Sequence, residues 1–307
     1  MRILLVCLFI ISCSSIQDAV ERRSGDVKPD SSVSLSKKES QNQVVKVIND
    51  SSLVPNCIDQ LGRLPNPLTN QETFKFCRKL KTKPECKSAL GKPIFHYNKE
   101  SSRDRHIKVL VFAVTHGDEP ASGSLARDWI MRLENLDPRS RWRIIPVLNP
   151  DGLASNTRTN ANGVDVNRNY PTVDWYENAQ SYWRKRGKSS PRRFPGNAAG
   201  SEPETKCSIT HMEEFKPDFI ISLHTPYGVL DFDGPKVDYP ANRLLPWRRL
   251  GHMPGSLGRY MWRDKKVPVL TVELKGNSPL DITKDIEDLQ DVIGTLAIRS
   301  LKSLKRY

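Results

Sequence analysis

Apolar residues in this chain gather in short runs set between long polar stretches. Ile107–Val114, Phe219–Leu223 and Val267–Val272 are each rich in Val, Ile, Leu or Phe. They are too short for ordinary helices and predict strands buried on both faces. Trp142–Leu148 is a further strand, closed by the turn signal Asn149-Pro150-Asp151-Gly152. Pro120 starts a helix directly behind Glu119, and Ala121–Leu136 keeps an amphipathic pattern for several turns. Ile282–Leu304 predicts a closing helix, and Val54–Tyr97 reads as short helices and loops leading into the core. Gly152–Glu202 and Gly251–Asp264 are long and polar; such loops in a compact domain usually carry binding function. Buried strands alternating with helices imply an α/β fold, a single domain with a mixed, largely parallel sheet flanked by helices.

The residues of chemical interest sit where those runs end. His116 and Glu119 lie in Thr-His-Gly-Asp-Glu-Pro, His224 in Ser-Leu-His-Thr-Pro, and Glu273 in Leu-Thr-Val-Glu-Leu. Ligands of an open α/β sheet bind in the crevice beyond the carboxyl ends of its strands. Two histidines and one carboxylate are a three-ligand zinc set that leaves a position for water, and a second carboxylate nearby supplies a base. A lone His-x-x-Glu arises by chance. Three strand ends converging on one crevice do not, and the pattern reads as a hydrolytic zinc site with one Zn²⁺ per chain.

At 307 residues and 37% hydrophobic, the chain can bury one substantial core. Its formal net charge of +13 calls for an anionic partner or surface. The basic residues are spread through Arg184–Arg193, Arg243–Arg249 and Lys302–Arg306 with no recognisable reading module, so nucleic acid is not the expected partner. An anionic wall polymer or a membrane surface suits the charge.

The first thirteen residues set the compartment. Met1-Arg2 is a minimal positive start, and Ile3–Ile11 is an apolar run too short to stop in a bilayer. It ends Ile10-Ile11-Ser12-Cys13, which resembles a bacterial lipobox with Cys13 as the lipidated residue. A plain cleaved signal peptide is the alternative. Either reading exports the protein to the periplasm or cell envelope, with a membrane anchor if Cys13 is acylated. Residues 14–52 have the composition of a solvated tether, and residues 53–307 form the expected folded domain. Cys57, Cys77, Cys86 and Cys207 remain, an even number in an oxidising compartment, so disulfides are expected. Cys77 and Cys86 are close enough to close a small loop, which leaves Cys57 for Cys207, although three connectivities are open. No Cys-x-x-Cys spacing points to a thiolate metal site.

Taken in order, six blocks resemble the M14 zinc metallocarboxypeptidases. They are His116-Gly-Asp-Glu119, Asn149-Pro-Asp-Gly, Arg158-Thr-Asn-Ala-Asn-Gly-Val-Asp165-Val-Asn167-Arg168-Asn169, Pro195-Gly with Ser201-Glu-Pro-Glu-Thr205, His224 and Glu273. Ser222-Leu-His-Thr-Pro226 and Pro254-Gly-Ser-Leu-Gly258 look most like the murein tripeptide amidases of that family, which cut between γ-D-glutamate and meso-diaminopimelate. The resemblance implies that His116, Glu119 and His224 hold zinc and that Glu273 is the general base. It further implies that Arg158 stabilises the oxyanion, that Asn167 and Arg168 clamp a terminal carboxylate, and that Asp165 orients His116. The family commonly carries a substrate-binding tyrosine on the loop before the catalytic glutamate. Here His252 stands in that stretch, with Tyr260 as the alternative.

The implied partners are stem peptides of peptidoglycan. Diaminopimelate carries an amine and a carboxylate at its distal end, which Asp231 or Asp233 and Arg259 are expected to meet. Two other readings share the sequence: a general carboxypeptidase acting on proteins or peptides, and a non-catalytic wall-binding lipoprotein. The second is weakened because no ligand or base position is replaced.

Overall fold

A computed structural model describes residues 53–103, 107–276 and 284–304. Cys13, the leader at 1–13 and the tether at 14–52 lie outside the described residues. In chain order the elements are α1 (Val54–Gly62), α2 (Asn70–Cys77), β1 (Lys81–Lys87), β2 (Pro93–Lys99), β3 (Lys108–Phe112), α3 (Pro120–Glu134), β4 (Arg141–Ile145) and α4 (Pro150–Ser155). These are followed by α5 (Trp175–Lys185), α6 (Pro203–Phe215), β5 (Phe219–His224), β6 (Tyr227–Asp233), β7 (Val269–Lys275) and α7 (Lys284–Ser303).

The strands form one sheet in the order β1-β2-β4-β3-β5-β7-β6. Its centre, β4-β3-β5-β7, is parallel, and β1, β2 and β6 run antiparallel on the flanks. Alternation along each central strand divides the core between the two faces. Val109 and Val111 of β3 and Phe219, Ile221 and Leu223 of β5 pack with Trp129 of α3 and Leu296 of α7. Leu110, Phe112 and Ile220 face the other way, toward Met212 and Phe215 of α6. Chain order reverses beside β3: β4 lies on one side and β5 on the other. The crevice of such a sheet opens at that point.

Three expectations change. The stretch before the core holds a hairpin, β1 with β2, as well as the two helices. The polar segment 152–202 holds α5, and β6 follows His224 directly; neither has the apolar density that signalled the central strands. The disulfides join Cys57 to Cys77 and Cys86 to Cys207, with Cα–Cα distances of 5.9 and 4.8 Å. The expected Cys77–Cys86 and Cys57–Cys207 pairing is therefore corrected. Residues 81–87 are extended, and a strand advances about 3.3 Å per residue, so β1 carries Cys86 away from the end of α2 and up against α6. The helical hairpin α1–α2 puts Cys57 beside Cys77.

Candidate metal centre and substrate cleft

β3 ends at Phe112, and the chain then takes a costly turn. Val114 sits at φ +46°, a left-handed conformation that disfavours a β-branched residue and is tolerated where its surroundings fix it. Its N–H donates to Ser122 Oγ at 3.0 Å, and Asn149 N–H donates to its carbonyl at 3.0 Å. The next turn holds His116 and Glu119, and Glu119 is the residue at which α3 begins. A Cβ on Gly117 would lie 1.8 Å from the backbone carbon of Gly152. The two glycine turns therefore pack backbone to backbone, and a larger residue at 117 would push the His116 turn off its position.

His116 Nδ1 lies 2.7 Å from Glu119 Oε1, His224 Nδ1 lies 2.8 Å from Glu119 Oε2, and the two Nδ1 atoms are 3.2 Å apart. All three side chains are buried. Each imidazole has its other nitrogen engaged: His116 Nε2 is 3.1 Å from Asp165 Oδ1, and His224 Nε2 is 2.9 Å from Ser222 Oγ. Such outer partners fix which nitrogen faces a metal. A tetrahedral zinc held at about 2.05 Å sets two ligand nitrogens about 3.3 Å apart. The donor set and its spacing fit that ion.

The electrostatics agree with a cation site. Burial and Arg158 work against protonation of His116, but the Glu119 and Asp165 carboxylates prevail and raise its pKa. Burial opposes the charge on Asp165, yet Arg158 and His116 hold its carboxyl well below the usual range. Asp165 Oδ2 accepts from Arg158 Nε at 3.0 Å, and Oδ1 accepts from Asn167 N–H at 3.0 Å. One buried carboxylate thereby positions His116, Arg158 and the Asn167–Arg168 turn.

Glu273 lies inside β7, in register with His224 on β5, rather than past a strand end as the apolar run suggested. Burial pushes its pKa up to about 7, with Glu119 adding to the rise against the pull of His224. Its Oε2 is buried with no hydrogen-bond partner among the described residues. Arg168 donates from Nη1 to Asn167 O at 2.6 Å, and Asn167 Oδ1 accepts from Leu257 N–H at 2.9 Å. That leaves the Asn167 amide nitrogen as its donor toward the cleft.

These residues line one cleft of about 610 Å³ with Asp231, Asp233, Arg186, Arg192 and Arg193. Asp231 and Asp233 alternate on β6 with core residues Leu230 and Phe232. Burial, then Asp233, raises Asp231 to about 6. His252 Nδ1 sits 2.7 Å from Asp233 Oδ1, and a Cβ at Gly258 would meet Asp233 Oδ2 at 1.8 Å. The loop glycine thus makes room for that carboxylate. Two expected pocket residues lie elsewhere. Arg259 is ion-paired with Asp174 and donates to His252 O at 3.1 Å, and Tyr260 is buried, stacked on Tyr170 with ring centroids 5.8 Å apart. Neither lines the cleft, nor does His252, although its neighbours Gly251 and Met253 do. Sequence reading missed Ser222, whose signal was the two-residue spacing from His224 on a strand, and the arginines of 186–193, which composition alone left as surface charge.

A second group of metal-type donors, Cys86, Cys207 and His211, lies within 4.8 Å of one another. Its sulfurs are joined as a disulfide.

A doubly covered α/β sheet with a His-Glu-His trio, a buried carboxylate and arginines at its switch point defines the class of crevice in which a metallopeptidase works. The zinc carboxypeptidase family model matches residues 87–232. Murein peptide amidase A of Vibrio campbellii is 30% identical over 204 residues, which cover 61% of this chain and 77% of that protein. The chain belongs to the zinc carboxypeptidase family. Murein peptide amidase A of Escherichia coli K12 is 32% identical over 150 residues, 47% of this chain, and the match takes in 59% of that protein's length. The crystal structure of thrombin activatable fibrinolysis inhibitor shares the fold, with a TM-score of 0.59 at 14% identity over 82% of this chain and 80% of that one.

Proposed function

We propose that this chain is an exported zinc peptidase that hydrolyses the γ-D-glutamyl–meso-diaminopimelate bond of peptidoglycan tripeptides. The observation that carries the hydrolytic reading is the meeting of three metal donors with the unbonded Oε2 of Glu273 in one cleft. The relatives named murein peptide amidase A support the choice of substrate.

His116, Glu119 and His224 would hold the zinc, which when bound polarises the scissile carbonyl and makes water acidic. Glu273 takes a proton from the attacking water and hands it to the leaving amine. Its raised pKa suits both halves of that transfer, since a base works best near the operating pH. Arg158, fixed by Asp165, places a guanidinium where negative charge develops on the carbonyl oxygen. Asn167 and Arg168 clamp the α-carboxylate of a C-terminal diaminopimelate. Asp231 and Asp233 face its distal amine, and His252 Nδ1 lies against Asp233 Oδ1 on that side. The clamp makes the enzyme selective for chain ends.

The test is a digest of purified muropeptides read by mass spectrometry. Tripeptide stems should lose diaminopimelate, whereas tetrapeptides should stay intact because the added D-alanine takes the clamp. Release of ordinary C-terminal residues from proteins, with the tripeptide untouched, would replace this reading by that of a general carboxypeptidase.

A further inference from the structure

Five arginines line the cleft: Arg158, Arg168, Arg186, Arg192 and Arg193. Three of them have work already. Arg158 is held by Asp165 and Glu119, Arg168 belongs to the terminal clamp, and Arg192 Nη2 lies 2.7 Å from Asp118 Oδ2. Arg186 and Arg193 make no ion pair among the described residues. They are exposed at the mouth of the cleft rather than on an outer face, and Arg193 lies near enough to Arg168 to disfavour its charge.

The segment that delivers them is built, not loose. After α5 the chain reverses through Lys188 and Ser189, two successive non-glycine residues at φ +52° and +50°. Such a conformation is costly for a residue with a side chain and persists where the surroundings impose it. The surroundings here are explicit. Gly187 N–H donates to Tyr182 O at 3.0 Å, Ser189 N–H donates to Trp183 O at 3.1 Å, and Trp183 Nε1 donates to Ser190 O at 2.7 Å. Phe194 packs on Trp183 with ring centroids 5.0 Å apart, and the Arg192–Asp118 pair ties the returning strand to the turn between His116 and Glu119. Arg186 enters this turn and Arg193 leaves it, so the reversal places both guanidinium groups on one cleft.

We propose that Arg186 and Arg193 form a second anion subsite, which recognises a carboxylate of the peptide substrate other than its C-terminal one. Two uncompensated guanidinium groups beside a third favour an anion, and each is a planar fork matched to a carboxylate. The inference rests on the substrate reading above. That substrate offers two such carboxylates, the α-carboxylate of the γ-linked D-glutamate and the distal carboxylate of diaminopimelate. With Arg259 committed to Asp174, these two arginines are the cations lining the cleft that are left to meet either one.

The experiment compares wild type with the double variant R186A/R193A on three synthetic peptides. They are the L-Ala-γ-D-Glu-meso-diaminopimelate tripeptide, its D-glutamate α-carboxamide and its distal diaminopimelate carboxamide. Wild type should prefer the acid to one of the amides, and in the variant that acid-to-amide ratio of kcat/KM should fall about 10–100-fold, the range of a charge-assisted hydrogen bond. The amide whose ratio collapses identifies the carboxylate. Equal ratios for wild type and variant on both amides would overturn the subsite while leaving the substrate reading in place. Failure of wild type to cut any of the three would overturn both.

Discussion

Two pairs of buried histidines in this molecule have rings 4.8 Å apart, His116 with His224 and His96 with His211, and their surroundings give them opposite characters. Glu119 and Asp165 surround the first pair and raise the pKa of His116 against burial. The second pair lies against the Cys86–Cys207 disulfide, with His211 Nε2 3.7 Å from Cys86 Sγ and Arg143 Nη1 3.4 Å from His211 Nδ1. Burial, followed by Arg143 and the lysines of β1, pushes His96 down to about 3, and burial with His96 and Arg143 carries His211 well below its ordinary value. Proximity of two imidazoles therefore does not define a metal site. The sign of the charge packed around them does, because a cation needs neutral donors whose neighbourhood is negative.

The largest effect should separate the pairs outright. Glu273→Gln should lower kcat by about 10²–10⁴-fold, the range lost with a general base, and leave bound metal unchanged by elemental analysis. His224→Ala should empty the site, whereas His211→Ala should leave one metal per chain. Metal loss from His211→Ala together with retention in His224→Ala would reverse the comparison.

Much of the first pair's neighbourhood was legible in the sequence because it depends on strand ends. The runs before His116 and His224 are dense in β-branched and aliphatic residues, and a parallel sheet gathers its carboxyl ends into one crevice. The second pair gave no such signal. Cys86 and His96 lie on β1 and β2 respectively, whose polar content resembles loop, and Cys207 and His211 lie on α6, which follows a polar loop. The pairing of Cys86 with Cys207 depends on which element β1 packs against, and sequence spacing carries no information about that. Arg259 and Tyr260 were misplaced for a related reason. Both fall in the π-helical turn 259–264, whose side-chain directions a loop reading does not fix.

A smaller loss should follow from opening the bridge at the second pair. Cys86→Ala with Cys207→Ala removes a link across 121 residues, and loss of such a link costs about 2–5 kcal/mol. Urea unfolding should register that cost with metal content unaltered, and unfolding at the wild-type midpoint would contradict it. Asp165→Asn should act on the first pair instead. Loss of a carboxylate behind a ligand histidine weakens metal about 10–100-fold, which a competition titration with a chelator would read.

The smallest effect is the acid dependence of stability contributed by His96 of the second pair. The folded-state pKa of His96 is about 3, below its ordinary 6.5, because burial and the cations beside it exclude the protonated form. The unfolded chain therefore binds a proton that the folded chain refuses. The stability due to neutral His96 is fully present above pH 6.5 and is lost as pH falls from there toward 3. At pH 5 the linkage relation puts the loss near 2 kcal/mol for this one group. His96→Phe has nothing to protonate and should lose that much less than wild type between pH 7 and pH 5 in parallel urea titrations. Acid also strips metal from the first pair, but it does so in both proteins and cancels in their difference. Identical pH profiles for the two would show that His96 is protonated as readily in the fold as out of it, and the contrast between the histidine pairs would then have to rest on geometry alone.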